Sequence, residues 1–184
     1  MERSTIIAGF GGQGILFAGK VLAEAALLEG REVLWIPSYG PEMRGGTASC
    51  TVIVADELIG SPVVDRADHA IVLNPPSMAK YAPVVAGGGL LVVNTTLIEA
   101  EAGGRDDIEV LEVPCTAVAR QAGDDKLVSV VALGAMVGRC RLVEPDSVHR
   151  AFAVLLGDRH PEMIEADIAA FDAGYEAGLE EVIA

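Results

Sequence analysis

Thr5-Ile6-Ile7-Ala8-Gly9-Phe10-Gly11-Gly12-Gln13-Gly14-Ile15-Leu16-Phe17-Ala18 is the stretch whose reading decides the fold. A β-branched apolar run stops at Gly9. Past Gly14, apolar residues return at helical spacing from Ile15 to Leu28, until Gly30 closes the helix. The order is strand, turn, helix. Glu32-Val33-Leu34-Trp35-Ile36 reads as a second strand. Its near-continuous hydrophobicity predicts burial on both faces, and the whole segment is expected to form a βαβ unit with a right-handed crossover.

Outward from this unit, Thr47 to Val54 reads as a strand, and a tight turn at Asp56-Glu57 is expected to pair it with Leu58-Ile59 in an antiparallel hairpin. Further strands are expected at His69–Leu73, Leu90–Val93 and Glu109–Val113. A helix should run from Pro76 to Val85, with Gly87-Gly88-Gly89 as the loop back to the sheet. From Cys115 onward the pattern turns helical: an apolar helix from Leu127 to Gly138, then one starting at Glu144-Pro145-Asp146. In the last helix Ile164, Ile168, Phe171, Tyr175, Leu179 and Val182 recur at spacings of three and four. Glu162, Glu165, Asp167, Asp172, Glu176, Glu180 and Glu181 are read as its acidic, solvated side. The fold class is α/β: a mostly parallel sheet flanked by helices, with one antiparallel hairpin. The 184 residues form a single domain, since no linker, repeat or low-complexity tract divides them.

Composition narrows the function. Hydrophobic residues make up 51% of the chain, but Lys20, Glu24 and Glu29 interrupt the first long apolar stretch before it could span a bilayer, so no membrane span is expected. Met1-Glu2-Arg3-Ser4-Thr5-Ile6 shows neither a signal nor a transit peptide, and a cytoplasmic location is expected. A net charge of -14 argues against nucleic acid as a partner. Cys50, Cys115 and Cys140 are far apart and odd in number, which fits reduced packing residues better than a disulfide or cluster ligand set. His69, His149 and His160 have no metal-ligand spacing. Ser77, Ser129 and Ser147 lie in no nucleophile elbow.

Chemistry gathers in two segments. Gly9-Phe10-Gly11-Gly12-Gln13-Gly14 satisfies G-x-G-x-x-G between a strand and a helix, as a Rossmann-like phosphate turn requires. Such glycines allow close backbone approach, and the helix behind them offers free N–H groups and a positive dipole end to an anion. Packing of helix on strand is the other use of these glycines. An acidic residue to hold a nicotinamide ribose is missing at the end of the second strand, where Ile36-Pro37-Ser38 stands instead. In the second segment, Pro37 to Gly46, Arg44 followed by Gly45 and Gly46 combines a guanidinium fork with accessible backbone N–H groups. A local pair between Glu42 and Arg44 is the competing use. Asn74 and Asn94 end apolar strands, where helix capping competes with lining a crevice.

Gly11-Gly12-Gln13-Gly14, Ser38-Tyr39-Gly40-Pro41-Glu42-Met43-Arg44-Gly45-Gly46, Ile59-Gly60-Ser61-Pro62 and Leu73-Asn74 together resemble the gamma subunit of 2-oxoacid:ferredoxin oxidoreductases. Pro-Glu-Met-Arg-Gly-Gly is most like the 2-oxoglutarate branch. The resemblance implies a complex that converts a 2-oxoacid and coenzyme A to an acyl-CoA and carbon dioxide. Thiamine diphosphate, Mg2+ and iron–sulfur clusters would sit in other chains: alpha and beta catalytic subunits, and a ferredoxin-like delta subunit or ferredoxin. This chain is then a non-redox accessory subunit with no catalytic residue or metal ligand of its own. Gly9, Gly11, Gly12, Gln13, Gly14, Ser38, Tyr39, Arg44, Gly45 and Gly46 would hold an anionic substrate or the coenzyme A phosphates. Asp124-Asp125-Lys126-Leu127-Val128-Ser129 departs from the family where an asparagine is expected near Ser129. A stand-alone nucleotide-binding protein and a purely structural scaffold are the alternative readings.

Overall fold

The computed structural model describes residues 1–39, 47–99, 105–157 and 160–180. Six strands form one sheet in the order β2-β3-β1-β4-β5-β6: β1 (Glu2–Phe10), β2 (Glu32–Tyr39), β3 (Thr47–Ala55), β4 (Ala67–Val72), β5 (Val85–Asn94) and β6 (Glu109–Val113). The pairings β1–β4, β4–β5 and β5–β6 are parallel, while β3 runs antiparallel to both of its neighbours, β1 and β2. The helices are α1 (Ile15–Leu28), α2 (Pro75–Tyr81), α3 (Cys115–Gln121), α4 (Val128–Cys140), α5 (Pro145–Leu156) and α6 (Pro161–Leu179). The α/β class and the mostly parallel sheet agree with the sequence reading.

Alternation along the strands sends side chains to two cores. Ile7, Ile71, Leu73 and Val92 meet α1 and α4 on one face, while Ile6, Ala8, Val72 and Val93 meet α2 on the other. Outside α1 and α4 lies a second helical layer, with α5 against α1 and α6 against α4. Sandwiched in this way, α4 is buried from Val128 to Gly138, which is why its sequence is apolar all round. The end of α1 is closed by Gly30 at φ 77, with Arg31 N–H donating to the Ala26 carbonyl at 3.1 Å and Gly30 N–H to that of Leu27 at 2.9 Å.

Three expectations are corrected. The first concerns β2, which is the sheet's edge rather than a strand buried on both faces, and β3 stands between it and β1. Pro37 within β2 signals this position, because proline lacks the ladder donor that a central strand needs. Second, the antiparallel hairpin joins β2 to β3 and not β3 to Leu58-Ile59. Both edges of β3 are already occupied, and Leu58 is 87% exposed. Third, Gly87-Gly88-Gly89 lies inside β5 as a bulge, where the register against β4 slips between Ala67 and His69 and Gly88 takes φ 75.

The last helix also differs from its reading. Gly174 and Gly178 of α6 face Val131 and Ala135 of α4, while Gly134 and Gly138 of α4 face Phe171 and Tyr175; a Cβ at any of the four would overlap a carbonyl oxygen of the other helix. The two backbones therefore touch, and Ile164, Ile168 and Tyr175 flank the seam half-buried instead of forming it. Val182 lies outside the described residues. Asp167, assigned to the solvated side, is 1% exposed, and its Oδ2 has no hydrogen-bond partner among the described residues. The other acids of this helix from Glu162 to Glu180 are exposed.

Burial raises the Asp167 carboxyl from 3.8 to about 6. The folded chain thus keeps a proton that the unfolded chain releases, so stability falls as pH rises through this window and the penalty persists above it. Asp167→Asn is expected to stabilise the protein by about 1–3 kcal/mol at pH 8, with the gain shrinking toward pH 4. Urea denaturation at several pH values measures it, and a pH-independent difference would contradict the account.

Candidate functional site

The glycine turn sits at the carboxyl end of β1. Gln13 closes it from both sides: its N–H donates to the Phe10 carbonyl at 3.2 Å, and its side-chain Oε1 accepts from Phe10 N–H at 2.6 Å. This Oε1 also fills the space a Cβ on Gly9 would need, together with Ile15 and Leu73. Gly9 and Gln13, both proposed from sequence as ligand contacts, therefore do structural work in the turn. Gly11 and Gly12 are exposed, and Gly12 has φ 97 with open space around it. Gly14 caps α1 at φ 76, in the left-handed region, with no side-chain cap and no acidic residue in the first turn of the helix. The N–H groups of that turn and its dipole are left for an anion.

Beneath the turn lies Ser129, at the start of α4. Its Oγ would be 2.6 Å from a Cβ on Gly14; it is fully buried and has no hydrogen-bond partner among the described residues. Cys50 packs under the first turn of α1, its thiol donating to the Ile15 carbonyl at 3.5 Å. Burial pushes that thiol up to about 12, against a smaller lowering by Trp35, so it is a neutral packing group. All three cysteines are free, and Cys115 is likewise pushed up to about 12 by burial.

Register brings the second segment's flanks to this same edge. Phe10 of β1 lies opposite Thr47 of β3, and Tyr39 of β2 lies opposite Ala48. The chain between Tyr39 and Thr47 therefore leaves and re-enters the sheet beside the glycine turn. Ser38 is exposed and pairs with Ser49, whose Oγ accepts from the Tyr81 hydroxyl at 2.8 Å. Arg44, Gly45 and Gly46 lie outside the described residues, as does the Tyr39 side chain.

Leu73-Asn74 comes to the same edge, since Leu73 N–H donates to the Ala8 carbonyl at 3.0 Å. Asn74 caps α2 by accepting from Ser77 N–H at 2.8 Å, while its Nδ2 and the Ser77 Oγ are buried without partners among the described residues. Asn94 joins two strand ends to α3: its Nδ2 donates to the Leu73 carbonyl and to Thr116 Oγ1, and its Oδ1 accepts from Thr116 N–H. Ile59-Gly60-Ser61-Pro62 is not part of the crevice. It follows the end of β3 that pairs with Glu2, at the amino end of β1. Sequence reasoning met Ser129 only in the excluded nucleophile search and in the segment that departs from the family pattern; its contact with Gly14 crosses more than a hundred residues of chain and leaves no local pattern.

Residues 4–177 match the family model described as pyruvate ferredoxin/flavodoxin oxidoreductase. The chain belongs to this family. It is 35% identical over 178 residues to the 2-oxoglutarate synthase subunit KorC of Archaeoglobus fulgidus, a match covering 96% of this chain and 88% of that one. To the ketoisovalerate oxidoreductase subunit VorA of Methanothermobacter thermautotrophicus it is 38% identical over 178 residues, covering 96% of this chain. It spans only 36% of that VorA chain, and 27% of the one from Methanothermobacter marburgensis. The keto/oxoacid ferredoxin oxidoreductase gamma subunit of Geobacter sulfurreducens superposes with a TM-score of 0.81 at 28% identity, over 96% of this family member and 98% of that chain. The 2-oxoglutarate:ferredoxin oxidoreductase of Magnetococcus marinus shares the fold, with a TM-score of 0.86 at 21% identity over 96% of this chain and 31% of that one.

The two left-handed glycines separate by substitution. Gly12→Ala meets open space and should cost only its backbone penalty, about 1 kcal/mol. Gly14→Ala adds the overlap with Ser129 Oγ and should cost about 1–3 kcal/mol more, a part recovered in the Gly14→Ala/Ser129→Ala double variant. Denaturant midpoints of the four proteins decide it, and additivity of the two changes would refute the contact.

Proposed function

We propose that this chain is the gamma-type accessory subunit of a 2-oxoacid:ferredoxin oxidoreductase, with 2-oxoglutarate as its 2-oxoacid. It would support coenzyme A-dependent oxidative decarboxylation to an acyl-CoA and carbon dioxide. The observation that carries the reading is the family match over residues 4–177, on a chain whose length fits the KorC subunits almost end to end. Pro41-Glu42-Met43-Arg44-Gly45-Gly46 supports the choice of 2-oxoacid.

In this reading the carbon and redox chemistry belongs to alpha and beta subunits, with a ferredoxin-like delta subunit or ferredoxin taking the electrons. Thiamine diphosphate, Mg2+ and the iron–sulfur clusters are theirs. This chain contributes an anion-binding wall at the carboxyl edge of its sheet. The uncapped first turn of α1, exposed Gly11 and Gly12, and the lack of an acid in that turn suit a phosphate or carboxylate. Ser38, Tyr39, Arg44, Gly45 and Gly46 would complete it, with the Arg44 guanidinium as the charged partner and Gly45 and Gly46 exposing backbone N–H groups.

Arg44→Ala in the reconstituted complex is expected to weaken the apparent affinity for coenzyme A or for the 2-oxoacid tenfold or more, about 1.5–3 kcal/mol for a charged hydrogen bond. Steady-state kinetics with each substrate varied measures this. Unchanged constants for both would remove Arg44 from the site. Activity with 2-oxoisovalerate but not 2-oxoglutarate would transfer the substrate assignment to the branched-chain relatives.

A further inference from the structure

At the amino ends of β1, β4 and β5, the opposite end of the sheet from the glycine turn, the surface opens into a cavity of about 320 Å³. Arg3 from β1, Arg139 near the end of α4 and Arg141 just beyond that helix line it, with His69, Leu90 and Leu142. Two of the three guanidiniums have carboxylate partners. Arg3 Nη1 donates to Asp68 Oδ1 at 2.7 Å, and Arg139 Nε donates to Glu109. Asp68 spends its other oxygen on Ser4, accepting from the backbone N–H at 2.9 Å and the hydroxyl at 3.1 Å, so its charge is held in the sheet. Each pair leaves guanidinium N–H groups over, and the Arg141 side chain has no ion pair or hydrogen bond among the described residues.

Two further observations point to a ligand. His69 is 8% exposed; its Nδ1 lies 3.2 Å from Thr5 Oγ1, and its other ring nitrogen has no hydrogen-bond partner among the described residues. Burial in the sheet keeps its imidazole below the ordinary histidine range, outweighing Asp68, so it is a neutral ring able to donate one hydrogen bond while accepting from Thr5. Arg141 is the one non-glycine residue with positive φ among the described residues, at 49°. Glycine or asparagine would close α4 at that position with less strain, and an arginine there places a guanidinium at the cavity wall instead. Proximity to the carboxyl end of α4 favours a cation nearby, but not the strained position.

We propose that this cavity binds the phosphate group of a small metabolite, held by Arg141, Arg139 and Arg3, with His69 as a neutral donor. Guanidiniums converging from a strand, a helix end and the residue beyond it suit a tetrahedral anion with several acceptor oxygens better than a planar carboxylate. A cavity of about 320 Å³ exceeds a bare ion, and Leu90 and Leu142 beside the arginines give a carbon skeleton its contact.

Titration calorimetry of the full chain at constant ionic strength and pH 7.5 tests this with inorganic phosphate, glycerol 3-phosphate and malonate. Saturable binding of either phosphate, about tenfold weaker in Arg141→Gln, is expected. Equal affinity for the two assigns the site to free phosphate, and tighter binding of glycerol 3-phosphate to a phosphate ester. Arg139→Gln should weaken binding as well, and since Arg141 is exposed, its variant decides the matter if Arg139→Gln does not fold. Heats that do not saturate, a wild-type affinity in Arg141→Gln, or tighter binding of malonate would each overturn the proposal.

Discussion

Pairing along both edges of β1 is the constraint on which the rest depends. For nine residues, from Glu2 to Phe10, it is zipped antiparallel to β3, and over Thr5 to Ala8 it is also held parallel to β4. A slip of one residue would turn Ile7 out of the helical core and Ile6 into it, so two separate apolar clusters lock the register. Because that register ends with Phe10 opposite Thr47, the glycine turn and both flanks of the 39–47 excursion come out at one edge, and the parallel pairing adds Leu73-Asn74. The site is assembled by strand pairing before any ligand is considered.

Inserting one reversed strand beside β1 has a cost in legibility. In the usual βαβ reading β1 and β2 would be neighbours; here they run parallel with β3 between them. Local sequence carries the elements well. Strand, turn and helix from Thr5 to Leu28, the strand at Glu109–Val113 and the start of α5 are readable from hydrophobic period, proline and glycine. Which strand pairs with which is not local information, and the Asp56-Glu57 turn looked like a hairpin only because the occupancy of β3's edges cannot be read from its own residues. Pro37 carried a legible hint that β2 is an edge.

The candidate site divides the same way. Gly11, Gly12 and Gly14 announce themselves by type and spacing; Gly12 and Gly14 take left-handed backbone, and Gly11 and Gly12 are exposed. Gly9 and Gln13 look equivalent to them but also close the turn itself, because glycine serves close packing as readily as it serves ligand approach. Asp167 and Ser129 were illegible for a common reason. Ser129 lies against Gly14 of a distant element, and Asp167 lies on the same buried side of α6 as Gly174 and Gly178, so the burial of each is decided by where separate elements touch.

An edge such as β2 has its own physical consequence. Along Glu32–Tyr39 one row of amides and carbonyls is used against β3, and the outer row faces away from the sheet. Such a row is a template for a seventh strand, whether from a companion polypeptide or from a misfolded neighbour. Proline at position 37 and the exposed charge of Glu32 are the kinds of residue that keep a free border from recruiting the wrong chain, so this margin of the sheet is guarded against aggregation by the same residue that announced its place.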